Sequence, residues 1–476
     1  MKINIFKNYI IIIIAFIISV FVSNYNLNNY DKTVYLDNKT SYHKMIKTDP
    51  LRYLGHGAEI KKDLENNISF FKSGRENYTK YLPPRIAAAY YFFFDRDLYN
   101  NFDEKIINEN IHFEYLLIQN IIYFLAVVFL LKTASVILSK EVCFWLTIFL
   151  CFEPTLLQYH GTFWSESIFF SIQIIIIALL FKKNNSIISH CLIGIFIGIL
   201  SLQKQMAIFY IVPIILFYLF FQKKKKINSI LFLVLGFFII QFFLGYQNLQ
   251  RSGKFYIMTS DTKLDLHRDL VFKVVPKNLK ITNDEFDIIE GKAVLKWMLE
   301  NSLKFNSDSQ AIKHNKGFMS YRATIINESD KIYFDNYIRS RTFDYFYEYP
   351  FSFMKFIAKS SIHTALLNPF HIYSEHNFVS SEFYYTTKTH DQLLTIRFSY
   401  TLFIYLICLY GIYVIIKKRE FYLISFVALS FIYFYSLVSW HGNTRYYVPC
   451  LIYLSFLFEY GMPEFLKGIK LKKNFV

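Results

Sequence analysis

Charge is scarce in this chain: Asp, Glu, Lys and Arg together make up 18% of its 476 residues. A soluble domain of this length could bury a full core, but it has no need of repeated apolar runs of bilayer length. Cysteine is scarce as well. Cys143, Cys151, Cys191, Cys408 and Cys450 lie within or beside apolar stretches, and none forms a Cys-x-x-Cys or Cys/His metal pattern. They read as small buried hydrophobes. Residues 24–111 and 247–395 contain no cysteine, so they must fold without disulfides. No internal repeat or low-complexity linker divides the chain.

What remains is apolar and basic. Hydrophobic residues make up 54% of the sequence, and the formal net charge is +16. The 53 Phe and 38 Tyr accompany abundant Ile, Lys and Asn, which an AT-biased gene would produce, so they carry no functional weight. The basic residues fall in short clusters beside apolar runs rather than on a broad surface. That placement is a topology signal and argues against a nucleic-acid partner.

The first apolar run, Ile10 to Val22, follows Lys2 and Lys7. Val-Phe-Val-Ser at 20–23 is a poor cleavage site, so the run reads as an uncleaved span, residues 1–23. Further runs occupy 112–131, 142–159, 163–181, 187–201, 206–221, 228–246, 396–416, 421–439 and 446–461. Placing Lys132 and Lys140, Lys182 and Lys183, Lys223 to Lys226, Lys417 to Arg419 and the tail lysines from Lys467 in the cytoplasm requires alternate crossings throughout. About ten spans satisfy this, with both termini inside. The expected organisation is a first extracytoplasmic loop (24–111), a helical bundle (112–246), a second extracytoplasmic region (247–395), C-terminal spans (396–461) and a basic cytoplasmic tail (462–476). The two outer regions are expected to have mixed structure. Within them, Leu82 to Phe94, opening on Pro83-Pro84, suits a short interfacial helix. Residues 351–370, interrupted by Lys355, Lys359, His363 and Pro369, suit an interfacial or re-entrant helix; the alternative is a true span with an unrecognised partner nearby.

Unusual polar residues fall on the outer side in this scheme. They are Asp37 and Asp49 after the first span, Glu166 after Ser165, Gln203-Lys204-Gln205, Arg251, and His441 with Arg445. Ionisable groups beside apolar spans usually face a protein interior or a wet cavity. Taken singly, each has a plain alternative: Asp37 as a loop residue, Glu166 paired structurally with Lys204, Arg445 as an interfacial anchor. His160 and His190 read as interface histidines.

The contexts of these residues form an ordered set. Leu36-Asp37 precedes Ser41-Tyr42, and Pro83-Pro84-Arg85-Ile86-Ala87 closes the first loop. Glu153-Pro154-Thr155 leads to Ser165-Glu166-Ser167, and Gly194 and Gly198 precede Leu202-Gln203-Lys204-Gln205. Arg251-Ser252-Gly253 follows the seventh span, and Arg445-Tyr446-Tyr447-Val448-Pro449 opens the last. In this the chain resembles, over about residues 31–461, the integral membrane glycosyltransferases of the GT-C class. The nearest pattern is the superfamily of dolichyl-phosphate-mannose protein mannosyltransferases and bacterial lipid A sugar transferases. Lys204-Gln205 departs from the usual Arg-Pro, the acidic motif at Asp37 is single, and 261–350 has no counterpart.

The resemblance implies an all-α, GT-C-like polytopic protein in a bacterial inner (plasma) membrane, with its active site on the outer face. It would move a sugar from a polyprenyl-phosphate carrier to a lipid, glycan or protein acceptor, with inversion. Asp37 would be the general base and Glu166 would assist. Lys204, Arg251 and Arg445 would neutralise the carrier phosphate, with His441 and Tyr446 completing the substrate site. No particular cofactor is implied, and a divalent metal is left open. A lipid-linked polysaccharide polymerase or ligase and a polytopic transporter are the alternatives.

Overall fold

In hydrocarbon a chain must satisfy its own peptide groups, so apolar runs of this length are expected to be helical. The computed structural model describes residues 2–28, 49–73, 81–94, 113–163, 165–182, 186–221, 226–253, 255–257, 266–315, 317–366, 387–438 and 447–473. Among them there are helices and turns but no strand. Residues 24–111 and 247–395, expected to have mixed structure, form helices and turns where described; an isolated antiparallel bridge joins Phe305 and Ile325.

The first half of the chain contributes α1 (Lys2–Asn28), α2 (Asp49–Glu65), α3 (Leu82–Phe93), α4 (Phe113–Ala134), α5 (Lys140–Phe152) and α6 (Pro154–His160). Next come α7 (Glu166–Leu180), α8 (Ile187–Gln203), a 3-10 turn (Gln205–Tyr210), α9 (Ile211–Phe221) and α10 (Lys226–Ser252). Among the described residues, four segments are long and apolar enough to cross a membrane: Phe6–Asn24, Phe113–Ala134, Lys226–Gln250 and Phe398–Lys417. Glu166–Leu180, Ile187–Gln203, Gln205–Phe221 and Phe421–Ser436 are shorter apolar helices. The architecture is that of a helical membrane protein.

Local chemistry explains where the helices depart from the apolar runs. The run 142–159 is two helices, because Pro154 has no N–H to continue α5 and holds Glu153 in an extended conformation. Glu153 then caps α6, its carboxylate accepting from the Leu156 N–H at 2.8 Å. The Pro83-Pro84 pair sits in the first turn of α3, where missing N–H groups cost nothing. This helix buries Pro83, Pro84 and Ala87 while Phe92 and Phe93 stay exposed.

After α10 the chain builds a separate helical subdomain from α11 (Phe272–Leu279), α12 (Asn283–Glu300) and α13 (Glu328–Glu348). A capping box between Thr282 and Glu285 starts α12. Two apolar clusters hold the subdomain, one around Val294, Phe318 and Phe334, the other around Val271, Phe286 and Phe353. Phe353 belongs to α14 (Pro350–Leu366), the segment expected to be interfacial or re-entrant. The far end of α14 meets two bundle helices, α15 (Thr387–Lys417) and α16 (Phe421–Val438). There Tyr405 donates to the Ala365 carbonyl at 2.8 Å and Tyr435 to the Ser361 carbonyl at 2.9 Å. So α14 ties the subdomain to the bundle; residues 367–370 lie outside the described part. The last helix is α17 (Val448–Lys473).

At the centre of the bundle is α7. Phe169, Phe170, Ile174, Ile176 and Ile177 are all fully buried, which is what a helix apolar on every side requires. Two helix pairs around it meet backbone to backbone at glycines. A Cβ on Gly194 would stand 1.9 Å from the Leu233 carbonyl oxygen, and one on Gly236 would stand 2.1 Å from that of Cys191. These reciprocal contacts join α8 to α10. Gly411 and Gly461 do the same for α15 and α17, at 1.9 Å from the Leu457 oxygen and 2.0 Å from the Ile407 oxygen.

Because the obstructing atoms are main-chain carbonyls, a side chain at these positions has to part the helices. Gly194→Val and Gly411→Val should each cost more than the roughly 1–3 kcal/mol usual for overpacking. Gly468→Val, where a Cβ meets nothing within 4 Å, should be neutral. Unfolding temperature and monodispersity of the purified protein in detergent check this; equal behaviour of all three variants would contradict it.

Candidate functional site

Helices α7 and α8 are consecutive and antiparallel, so the residue just past the end of α8 returns to the level where α7 begins. Lys204 is that residue, in an extended conformation with its N–H still bonded to the Leu200 carbonyl at 3.0 Å. Its Nζ lies 2.6 Å from Glu166 Oε1, with side-chain exposures of 2% and 0%. The ammonium also stands 5.5 Å from the centre of the Phe169 ring. Next to the pair, Gln203 Nε2 donates to the Ser165 carbonyl at 2.8 Å, locking the chain entry to α7 against the chain exit from α8.

A hydrogen-bonded chain continues inward from α7. Gln173 Nε2 donates to the Tyr453 hydroxyl at 3.3 Å, Tyr453 donates to Tyr210 at 2.7 Å, and Tyr210 stands 3.1 Å from the Ser430 hydroxyl. His160 is not an interface residue as its position near a span end implied. It is 1% exposed, lies against the Tyr123 ring at 3.8 Å between centroids, and has Nδ1 2.9 Å from the Ser167 hydroxyl. The break between α5 and α6 turns its ring inward. His190 is likewise buried, with Nδ1 2.9 Å from the Tyr218 hydroxyl and Nε2 3.0 Å from the Ser229 hydroxyl.

Of the residues expected to form a site, Glu166 and Lys204 are brought together. Arg251 ends α10, and its side chain is outside the described part. Asp37, His441, Arg445 and Tyr446 lie outside the described residues altogether. The residue after them, Tyr447, is buried, its hydroxyl 2.6 Å from that of Tyr405. Together with Tyr400 and Glu153, these two tyrosines line a cavity of about 10 Å³, room for one water.

Two buried carboxylates within the bundle escaped the sequence reading as chemical groups. Glu153 is 3% exposed; besides its cap it accepts from the Thr155 hydroxyl at 3.0 Å and the Tyr400 hydroxyl at 3.5 Å. Glu459 in α17 is fully buried, and neither oxygen has a hydrogen-bond partner among the described residues. The signal was available: both are acidic residues inside apolar runs. Among the described residues no group of three or more His, Cys, Asp or Glu could hold a metal ion.

The subdomain after α10 has its own buried charge cluster. Glu290, fully buried, accepts from Arg341 through Nε at 2.9 Å and through Nη2, and from the Tyr345 hydroxyl. His267 stands beside it, with Nδ1 2.9 Å from Thr342 Oγ1 and Nε2 3.8 Å from Glu290 Oε2. Burial pushes the His267 imidazole down to about 4, although the Glu290 carboxylate pulls it upward.

No protein-family model, curated protein or solved structure matches this chain.

Two outcomes follow from the buried charges. Lys204→Met leaves Glu166 buried without its ammonium and should destabilise the protein by about 3–5 kcal/mol, whereas Lys204→Met combined with Glu166→Gln should recover much of that loss. Thermal unfolding in detergent distinguishes these; additive losses would mean that the two side chains do not interact. For His267, the folded state binds its proton less readily than the unfolded chain. Its contribution is therefore complete above about pH 6.5 and is lost as pH falls towards 4, up to about 3 kcal/mol. Unfolding temperature should fall over that window in wild type, and less steeply in His267→Gln. Parallel curves for the two proteins would rule this out.

Proposed function

We propose that this protein is a membrane glycosyltransferase that moves a sugar from a polyprenyl-phosphate carrier to a lipid, glycan or protein acceptor. The single observation that carries the reading is the Glu166–Lys204 pair. It is a carboxylate and an ammonium buried at the end of the bundle opposite Lys7, Lys140, Lys182 and Lys417. With about ten crossings and those lysines in the cytoplasm, the pair belongs to the outer face, where a carrier would present its sugar.

The chemistry is a single displacement. An acceptor hydroxyl attacks the anomeric carbon, the bond to the phosphate oxygen breaks, and the carrier phosphate leaves with the electron pair. Asp37 takes the hydroxyl proton. Attack from the face opposite the leaving group inverts the anomeric configuration. Arg251, Arg445 and Lys204 hold the departing anion, with His441 and Tyr446 beside it. Glu166 fixes the Lys204 ammonium in place, so that little reorganisation is needed as charge develops. A polymerase or ligase would use the same carrier chemistry with a glycan chain as donor. A transporter is favoured by a different observation, Glu459, because an unpartnered intramembrane carboxylate is the kind of group that carries protons or ions.

The test is sugar transfer by purified protein in nanodiscs from a panel of polyprenyl-phosphate sugars. Asp37→Asn should lower turnover by about 10²–10⁴ with donor binding retained. Arg445→Ala should weaken donor binding itself, because its partner is the phosphate in ground and transition states alike. Unchanged turnover in Asp37→Asn would remove Asp37 from catalysis. Wild-type protein that transfers nothing from the panel, yet moves solute in a manner abolished by Glu459→Gln, would replace the transferase with the transporter.

A further inference from the structure

A large cleft lies at the other end of the bundle from Glu166 and Lys204. It has a volume of about 510 Å³ and is formed where the start of α1, the start of α5 and the last turns of α17 come together. Each helix supplies a lysine: Lys7, Lys140 and Lys467. Phe144 and Trp145 form an aromatic wall. Lys467 is partly neutralised, with Nζ 2.8 Å from Glu464 Oε1 and 3.5 Å from Glu141 Oε2. Lys7 and Lys140 have no carboxylate within ion-pair distance among the described residues, so the cleft keeps a net positive charge.

Asn8 also lines the cleft. Its side chain is buried at 4% exposure, and its amide oxygen has no hydrogen-bond partner among the described residues. A half-turn of the amide exchanges its oxygen and nitrogen and presents a donor instead. Two ammonium groups, an amide and an indole at the end of apolar helices are the groups that meet a phosphate at a membrane surface.

The surface next to the cleft says which phosphate. From Lys7 along α1, Ile10, Ile13, Ile14 and Ile17 are all exposed at 41–59%. Their spacing places them on one face of the helix, directly below the lysine. A headgroup held by Lys7 and Lys140 would therefore have its acyl chains lying on this isoleucine stripe.

We propose that this cleft binds the phosphodiester headgroup of an anionic glycerophospholipid in the leaflet at the basic end of the bundle. The inference needs the bundle to be embedded in a membrane but is independent of any sugar transfer. Lys7 and Lys140 are both exposed and packed against little, so their replacement leaves the fold intact.

The experiment is native mass spectrometry of the full chain in detergent, incubated with phosphatidylglycerol or with phosphatidylcholine. Wild type should retain phosphatidylglycerol over phosphatidylcholine. The double variant Lys7→Ala/Lys140→Ala should lose that retention by about fivefold for each lysine removed, with phosphatidylcholine binding unchanged. Lys417→Ala is the control, an exposed lysine at the same end of the bundle but outside the cleft, and should behave as wild type. Undiminished phosphatidylglycerol retention in the double variant, or an equal loss in Lys417→Ala, would overturn the assignment. So would inorganic phosphate that binds wild type without lipid and displaces phosphatidylglycerol, because the site would then take a free anion.

Discussion

In a bilayer a peptide N–H or C=O without a partner inside the chain stays without one, and the rest of this structure follows from that constraint. It makes every long apolar run a helix, and it also limits how helices join. Lipid tails are as apolar as the side chains, so burial supplies little force between helices, and close packing has to hold them. The glycine crossings of α8 with α10 and of α15 with α17 meet that need, since only a residue without Cβ allows a carbonyl to approach so nearly. With those pairs closed, α7 is surrounded on all sides.

A surrounded helix is a costly place for polar groups, and α7 carries several. Glu166, Ser167, Ser171 and Gln173 are all fully buried. Three are answered by other elements, Glu166 by Lys204 from the end of α8, Ser167 by His160 from α6 and Gln173 by Tyr453 from α17, while Ser171 donates to the Ser167 carbonyl within α7. The Glu166–Lys204 pair is the most demanding, because two charges must leave water together. The subdomain after α10 solves the same problem with a bidentate arginine, Arg341 on Glu290, a geometry that an ammonium cannot offer. Glu459 is the exception, a carboxylate whose oxygens no described donor reaches.

The two ends of the bundle thus have different characters. At one, helix termini bring a buried carboxylate and ammonium together. At the other, lysines from the first, fifth and last helices stand around an open cleft. The proposed carrier chemistry lies at the first, and the proposed lipid headgroup site at the second.

The sequence by itself determined that this is a helical membrane protein, because run length and charge placement depend on the solvent and not on neighbours. It also located the helix start at Pro83-Pro84, where a missing N–H acts locally, and offered the pairing of Glu166 with Lys204 as one reading, since a short antiparallel connection returns the chain to the same level. Tertiary structure alone decided the rest. Gly194 and Gly236 are 42 positions apart, and nothing local says that each faces the other's backbone. The inward turn of His160 depends on the break at Pro154 together with Tyr123 from another helix. The cluster of Glu290, Arg341 and His267, within a region that resembled nothing, forms only when three helical segments pack. Long-range contacts of this kind follow from which surfaces fit together, and no single stretch of the chain records that.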